Sequence, residues 1–319
     1  MSQTTAIFNL FFFNPQGDYR FSWRHPAAAG KEVYSLKYYA ELARKAESAI
    51  LDNIFIADHV SVWNSVPSGI PHYANLRLEP LTLLSALAAV TENIGLMATA
   101  STSYNEPYNL ARYFASLDFL SQGRASWNVV TSWLPEEAAN YGREQVPVHD
   151  ERYQRAAEFI DVVLKLWDSW EDDAPIIDKQ SGYFAQPELV HQLDHQGKFF
   201  KVRGPLNLPR PPQGHPLVVQ AGSSESGKQL AAQQADIHFV FMRDIEKGLV
   251  YRADMSRRLR ELGRDPAHFK ILGGVLPVVV NTAEEKQQRQ TLIEELMNDQ
   301  MALDLLGTYL RMDLSEYDP

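Results

Sequence analysis

The fold is decided by the stretch GRASWNVVTS, residues 123–132. The turn residues Ser121-Gln122-Gly123 precede a short apolar run that is rich in β-branched side chains. The stretch carries the amide of Asn128 and ends in the hydroxyls of Thr131 and Ser132. The pattern predicts a buried strand with polar groups at its carboxyl end, which is the end that faces the site in a parallel barrel. An ordinary core strand with a polar exit fits the same pattern.

Strand-like and helix-like segments alternate on both sides of this stretch. The sequence predicts further strands at 6–13, 50–59, 94–103, 216–222, 237–242 and 270–281. It predicts helices at 36–48, 80–91, 106–121, 150–170, 226–235, 246–263 and 283–306. Because the strands are apolar throughout, they belong in a parallel sheet that helices cover on both faces.

These segments form seven βα units, whereas a closed (β/α)8 TIM barrel needs eight. Polar strand ends occur along the whole chain, which suits a barrel mouth better than the single crevice of a doubly wound sheet, although that alternative stays open. We therefore predict one α/β barrel domain over 1–319, with an insertion at about 172–214 in which Phe199–Val202 is the only clear strand. We expect the closing strand and helix to be missing, which leaves the domain C-terminally incomplete.

Composition excludes several classes of function. The net charge is −10 and no dense basic run is present, which argues against nucleic-acid binding. The absence of cysteine excludes disulfides and thiolate chemistry. No apolar run approaches the length of a membrane span and no signal peptide is visible, so we expect a cytoplasmic protein. Dinucleotide, P-loop and H-E-x-x-H motifs are absent, and we expect no metal.

Polar residues end other predicted strands as well. Asp58 follows the second strand, where it can face the site or cap the next segment, and Thr102 and Ser103 end the third. Asn128 lies in the fourth strand, where a buried amide needs a ligand or another partner.

Two predicted helix starts carry candidate binding residues. Gly222-Ser223-Ser224 precede a helix, so free N–H groups and hydroxyls can cradle an anion, although plain N-capping by serine fits equally. His149 and Tyr153 are four residues apart at the start of the helix that Asp150 is expected to cap. They can therefore converge on one spot, or Tyr153 can simply join the core.

The stretch 123–132, the 220–227 turn and the His149–Tyr153 pair resemble the two-component flavin-dependent monooxygenases that include nitrilotriacetate and dibenzothiophene-sulfone monooxygenase, within the bacterial-luciferase-like superfamily. The resemblance extends over essentially the whole chain. It implies that reduced FMN and O2 oxygenate a small organic substrate such as a sulfone, sulfonate or aminopolycarboxylate. It also implies a partner NAD(P)H:flavin reductase that supplies the reduced FMN.

Site residues follow from the resemblance and the strand ends together. The expected FMN-binding residues are Asp58, Thr102, Ser103, Asn128, His149, Tyr153, Gly222, Ser223 and Ser224, with the phosphate on the two serines. Phe11, Phe13 and Trp23 are candidates for the substrate wall, or core and loop packing. No catalytic residue is assigned, because the flavin carries the oxidative chemistry.

Two other functions remain open, and one further expectation concerns assembly. A deazaflavin-dependent dehydrogenase shares this barrel but performs hydride chemistry. A non-catalytic flavin-binding remnant is favoured by the missing eighth strand. We further expect a homo-oligomer.

Overall fold

The computed structural model describes residues 6–17, 21–242, 244–297, 299–310, 312–314 and 316–317. Its strands are β1 (Asn9–Phe12), β2 (Asn53–Ile56), β3 (Gly95–Ser101), β4 (Ala125–Val130), β5 (Pro175–Asp178), β6 (Tyr183–Ala185), β7 (His195–Gln196), β8 (Lys201–Val202), β9 (Leu217–Gln220), β10 (Ile237–Val240) and β11 (Lys270–Gly273). Seven of them form a parallel sheet in the order β1-β2-β3-β4-β9-β10-β11. The predicted α/β class with a parallel sheet is therefore confirmed.

Helices follow most strands of this sheet. They are α1 (Leu36–Ser48), α2 (Gly69–His72), α3 (Pro80–Ala88), α4 (Pro107–Leu120), α5 (Pro135–Asn140), α6 (His149–Trp167), α7 (Glu225–Gln234), α8 (Ile245–Glu261), α9 (Ala283–Leu296) and α10 (Asp299–Leu310). Side-chain N-caps set several helix starts, because an oxygen that accepts from a free N–H stabilises the first turn. The N-caps of this kind are Ser35 before α1, Ser224 before α7 and Asp244 before α8. Within the described residues, no helix combines the length and apolar character that crossing a bilayer requires.

Alternating side chains divide the sheet into two faces. Trp127 and Val129 of β4 pack in the main core with the helices. Phe11 of β1, Phe55 of β2 and Phe239 of β10 cluster on the opposite face. The rings of Phe11 and Phe239 lie 5.2 Å apart between centroids, although their strands are first and sixth in the sheet order. The sheet is therefore strongly curved and forms a half-barrel around this aromatic cluster.

Most predicted elements are present, with shorter strands than the sequence pattern indicates. The strand predicted at 270–281 ends at Gly273, because its neighbour β10 ends at the paired residue Val240. Beyond that point Val275 and Val279 are 85% and 76% exposed, so apolar residues alone do not extend the strand. The segment 134–148, for which no helix or strand was predicted, contains α5. The segment 172–214 holds two antiparallel pairs, β5 with β6 and β7 with β8, where one strand was predicted.

Two helix predictions were wrong, one in the residue at which the helix begins and the other in treating two helices as one. The long helix begins at His149 with Val148 as its N-cap, so Asp150 lies in the first turn and is not the cap. The helix predicted at 283–306 is two helices, because Met297 adopts an extended backbone between α9 and α10. The break allows α10 to bury Met301 against Phe21 and Tyr73, whereas no residue of α9 is buried.

Candidate active site

A cavity of about 500 Å³ opens where several strands of the sheet end. Its walls include Phe13 after β1, Asp58 after β2, the 130–132 end of β4 and the 221–224 turn after β9. The start of α6 and residues Leu305 and Thr308 of α10 complete the enclosure. Six of the nine expected FMN-binding residues line this cavity, and they are Asp58, His149, Tyr153, Gly222, Ser223 and Ser224. The structure thus brings together residues that lie up to 166 positions apart, from 58 to 224.

Asp58 is a cavity residue whose carboxyl has a strongly shifted pKa. Burial raises the pKa of its carboxyl from 3.8 to about 6, and the nearby Arg77 guanidinium opposes that rise. Arg77 itself donates to the carbonyl oxygen of Phe13 over 3.3 Å and lies 3.3 Å from Nε2 of His59. A carboxyl that titrates near neutral pH can both accept and donate a proton in the range where enzymes work.

The turn before α7 is held by close backbone packing. Oγ of Ser224 accepts a hydrogen bond from the N–H of Gly227 over 3.1 Å, so this serine is the helix cap. A Cβ at Gly227 would lie 2.3 Å from the carbonyl oxygen of Gly222, and a Cβ at Gly222 would lie 2.7 Å from the hydroxyl of Tyr153. Glycine is therefore required at 227, where the obstructing atom belongs to the backbone, whereas at 222 the nearest atoms are the ends of side chains that can shift.

His149 and Tyr153 lie side by side at the start of α6. Their ring centroids are 4.7 Å apart, and Nδ1 of His149 lies 3.1 Å from a carboxylate oxygen of Asp150. Both residues line the cavity, and the Tyr153 hydroxyl lies beside the 221–224 turn, where a Cβ at Gly222 would be 2.7 Å from it. The two side chains therefore meet, as their spacing of four residues on one helix predicts.

Thr102, Ser103 and Asn128 lie outside the cavity wall and are buried. The hydroxyl of Thr102 donates to the carbonyl of Val130 over 3.3 Å, and that of Ser103 donates to the carbonyl of Thr131 over 2.6 Å. Nδ2 of Asn128 donates to the hydroxyl of Thr99 over 2.9 Å, while its Oδ1 has no hydrogen-bond partner within the described part of the chain. The two hydroxyls therefore join the ends of β3 and β4, and one amide oxygen is left for another donor.

The three candidate substrate-wall aromatics occupy different places. Phe13 lines the cavity, whereas Phe11 packs between Phe55 and Phe239 inside the curved sheet. Trp23 is 40% exposed in a short 3₁₀ helix, Ser22–Arg24, and its indole N–H donates to a main-chain carbonyl over 3.0 Å.

Three arginines that the sequence pattern did not single out brace the strand ends. Arg152 lines the cavity and donates to the carbonyls of Pro147 and Ser132. Arg143 and Arg155 donate to the carbonyls of Ser103 and Thr102 over 2.7 and 3.2 Å. The only local signal was the position of Arg152 and Arg155 on the helix that also carries Tyr153. The carbonyls of Ser132 and Thr102, which Arg152 and Arg155 contact, are 20 and 53 residues away in the sequence and could not be identified from it.

Buried Glu137 is another cavity residue that the sequence analysis did not identify. One carboxylate oxygen accepts from the N–H of Val60 over 3.2 Å, and the other accepts from the N–H groups of Trp133 and Leu134. This carboxylate therefore connects the loop after β2 to the start of α5. Among the described residues, no three His, Asp or Glu side chains are grouped closely enough to hold a metal ion.

Comparison with known proteins gives the family. The sequence model of the luciferase-like monooxygenase family matches residues 18–314 of this chain. The chain belongs to this family. The flavin-dependent monooxygenase class predicted from the sequence is thereby confirmed at the level of the family.

Curated members of the luciferase-like family align with almost the whole chain. N-acetyl-S-(2-succino)cysteine monooxygenase of Bacillus subtilis is 45% identical over 96% of this chain and 69% of its own length. Nitrilotriacetate monooxygenase component A of Aminobacter aminovorans is 43% identical over 97% of this chain and 70% of its own. Dibenzothiophene-sulfone monooxygenase of Rhodococcus erythropolis is 39% identical over 93% and 66%. The chain thus spans about two thirds of the length of these relatives.

Solved structures agree with this assignment. A crystal structure of long-chain alkane monooxygenase superposes with a TM-score of 0.91 at 35% identity, covering 99% of this chain and 74% of its own. A structure of riboflavin lyase with modified FMN and substrate riboflavin superposes with a TM-score of 0.90 at 34% identity, covering 99% and 72%. An F420-dependent secondary alcohol dehydrogenase, at 17% identity and a TM-score of 0.60 over 85% of this chain and 68% of its own, shares the fold alone. The deazaflavin alternative is therefore not favoured.

Proposed function

We propose that the chain binds FMN in the strand-end cavity and uses reduced FMN and O2 to oxygenate a small organic substrate. The observation that carries this proposal is the meeting of Asp58, the His149–Tyr153 pair and the 222–224 turn around one cavity of about 500 Å³. Membership of the luciferase-like family and the 34% identical structure that holds modified FMN support it.

The residues present suit this cofactor. The first turn of α7 offers free N–H groups and a positive dipole end beside Ser223 and Ser224, which favour a phosphate. The Oδ1 atom of Asn128 lacks a partner among the described residues but lies outside the cavity wall, so the fit to the cofactor rests on the residues that line the cavity. When it is bound, the flavin supplies the oxidative chemistry.

The protein groups have binding, orienting and proton-handling roles. Phe13, Trp63 and Leu305 give the cavity apolar walls that exclude water from the reacting groups. Asp58, with its pKa near 6, accepts hydrogen bonds from hydroxyl or ring donors and can hold a proton at the site. The substrate belongs to the small sulfones, sulfonates, aminopolycarboxylates or related compounds, and the relatives' names support the sulfone and the aminopolycarboxylate classes.

Substitution of Ser224 tests the phosphate site. Ser224→Asp keeps a good N-cap but adds a negative charge, so FMN affinity should fall at least tenfold, which corresponds to about 1.4 kcal/mol. Ser224→Asn is the matched control, because asparagine also caps the helix and has no charge. Titration of FMN followed by fluorescence measures both affinities. Equal affinities for the Asp and Asn variants would contradict phosphate binding at this turn.

A partner reductase is the second part of the proposal, and a relative named as component A of a monooxygenase supports it. Because the sequence has no dinucleotide fingerprint, we expect NADH alone to leave protein-bound FMN oxidised. Addition of an NAD(P)H:flavin reductase should bleach the flavin absorbance and start oxygen consumption. Stopped-flow absorbance with and without reductase checks this, and rapid bleaching by NADH alone would show that the chain reduces its own flavin.

A further inference from the structure

His238 lies beneath the 222–224 turn and has no exposed surface. It is on β10, and its Nε2 is 3.1 Å from the carbonyl oxygen of Gly222. Its Nδ1 is 3.3 Å from the hydroxyl of Tyr251 on α8. The imidazole, on β10, thus lies between the 222–224 turn and α8 and contacts both.

The two contacts select one tautomer of His238. A carbonyl oxygen only accepts hydrogen bonds, so Nε2 must carry the proton and Nδ1 must accept from the Tyr251 hydroxyl. Burial lowers the pKa of His238 from 6.5 to about 4, although the hydrogen bond to Gly222 raises it. The ring is therefore neutral at the pH values at which enzymes usually work.

The hydrogen bond from His238 also determines where the next N–H points. The peptide between Gly222 and Ser223 is trans, and in a trans peptide the C=O and N–H bonds point in opposite directions. With the carbonyl directed at the buried imidazole, the N–H of Ser223 points away from it, and Ser223 lines the cavity. Gly227 packs against the same carbonyl, so the peptide has little freedom to rotate.

We propose that His238 is a positioning residue that fixes the 222–223 peptide so that the N–H of Ser223 donates to the phosphate of bound FMN. The inference rests on the proposed function, because it assumes that FMN occupies the cavity with its phosphate at α7. In ordinary phosphate binding at a helix N-terminus, the free N–H groups of the helix are sufficient. Here a buried side chain on β10 also sets the direction of one donor, the N–H of Ser223.

The phosphate dependence of flavin binding tests this role. His238→Phe keeps an aromatic ring but removes the donor, so FMN affinity should fall about tenfold, while affinity for riboflavin, which lacks the phosphate, should change less than about twofold. His238→Gln places an amide N–H near the position of Nε2 and should restore FMN affinity to within about threefold. Titrations of both ligands against the wild-type and both variants give the ratio of FMN to riboflavin affinity.

The outcomes separate the inference from the proposed function. Equal losses for FMN and riboflavin in His238→Phe would show a merely structural role and overturn the inference. Unchanged FMN affinity there, together with a loss in Ser224→Asp, would overturn it while leaving FMN binding intact. A wild-type chain that does not bind FMN would overturn the proposed function itself. Should His238→Phe fail to fold, the same ratio is measured in His238→Leu, which also removes the donor to Gly222, and an unchanged ratio there overturns the inference.

Discussion

Replacing Gly227 by alanine is expected to destabilise the fold by about 3 kcal/mol and to abolish measurable FMN binding. The new Cβ would lie 2.3 Å from the carbonyl oxygen of Gly222 and 2.8 Å from its carbonyl carbon. These are backbone atoms, so no flexible side chain can move aside, and the turn that carries Ser223 must shift. Urea denaturation and FMN titration of the variant measure the two effects.

Gly248→Ala is the matched control for this change. Gly248 is also in a helix, α8, but a Cβ there would meet only the sulfur of Met242, at 3.8 Å. Alanine has a higher helix propensity than glycine, so this variant should be as stable as the wild-type or up to about 1 kcal/mol more stable. A Gly227→Ala variant with wild-type stability and FMN affinity would show that the turn is not closely packed.

Asp58→Asn is expected to stabilise the ligand-free protein by roughly 2 kcal/mol at pH 7.5 and to leave its stability unchanged near pH 4. The pKa of Asp58 is raised to about 6 in the folded protein, against about 3.8 when unfolded. The wild-type protein therefore loses stability as the pH rises from about 4 to 6, because the buried carboxyl must ionise. An amide avoids this cost, so the difference between variant and wild-type should appear over that pH window.

Denaturant unfolding at pH 4 and pH 7.5 measures this difference. Glu151→Gln, on the exposed start of α6, makes the same carboxyl-to-amide change and should alter stability by less than about 0.5 kcal/mol at both pH values. The Asp58 variant should also bind FMN more weakly, since it loses a charged acceptor. A stability difference that is independent of pH would contradict the burial of an ionisable carboxyl in the cavity.

The candidate site was partly accessible from the sequence because of a property of parallel sheets. Carboxyl ends of neighbouring strands meet at one edge, so Asp58 after β2 and Ser223 after β9 could be placed together without knowledge of any contact. This property of parallel sheets does not reveal which side chains already have hydrogen-bond or packing partners within the protein. The hydroxyl of Ser103 is used by the carbonyl of Thr131, and Phe11 packs inside the curved sheet.

Local periodicity by itself determined the alternation of strands and helices, since each signal lies within one segment of the chain. The resemblance in residues 123–132 led to the family for the same reason. Tertiary structure alone decided where β11 ends, because a strand extends only as far as its neighbour pairs with it. It also decided the break before α10, the bracing of strand ends by Arg152 and the contact of His238 with Gly222. Each of these depends on residues that are distant in the sequence and become neighbours only when the sheet curves and its helices pack.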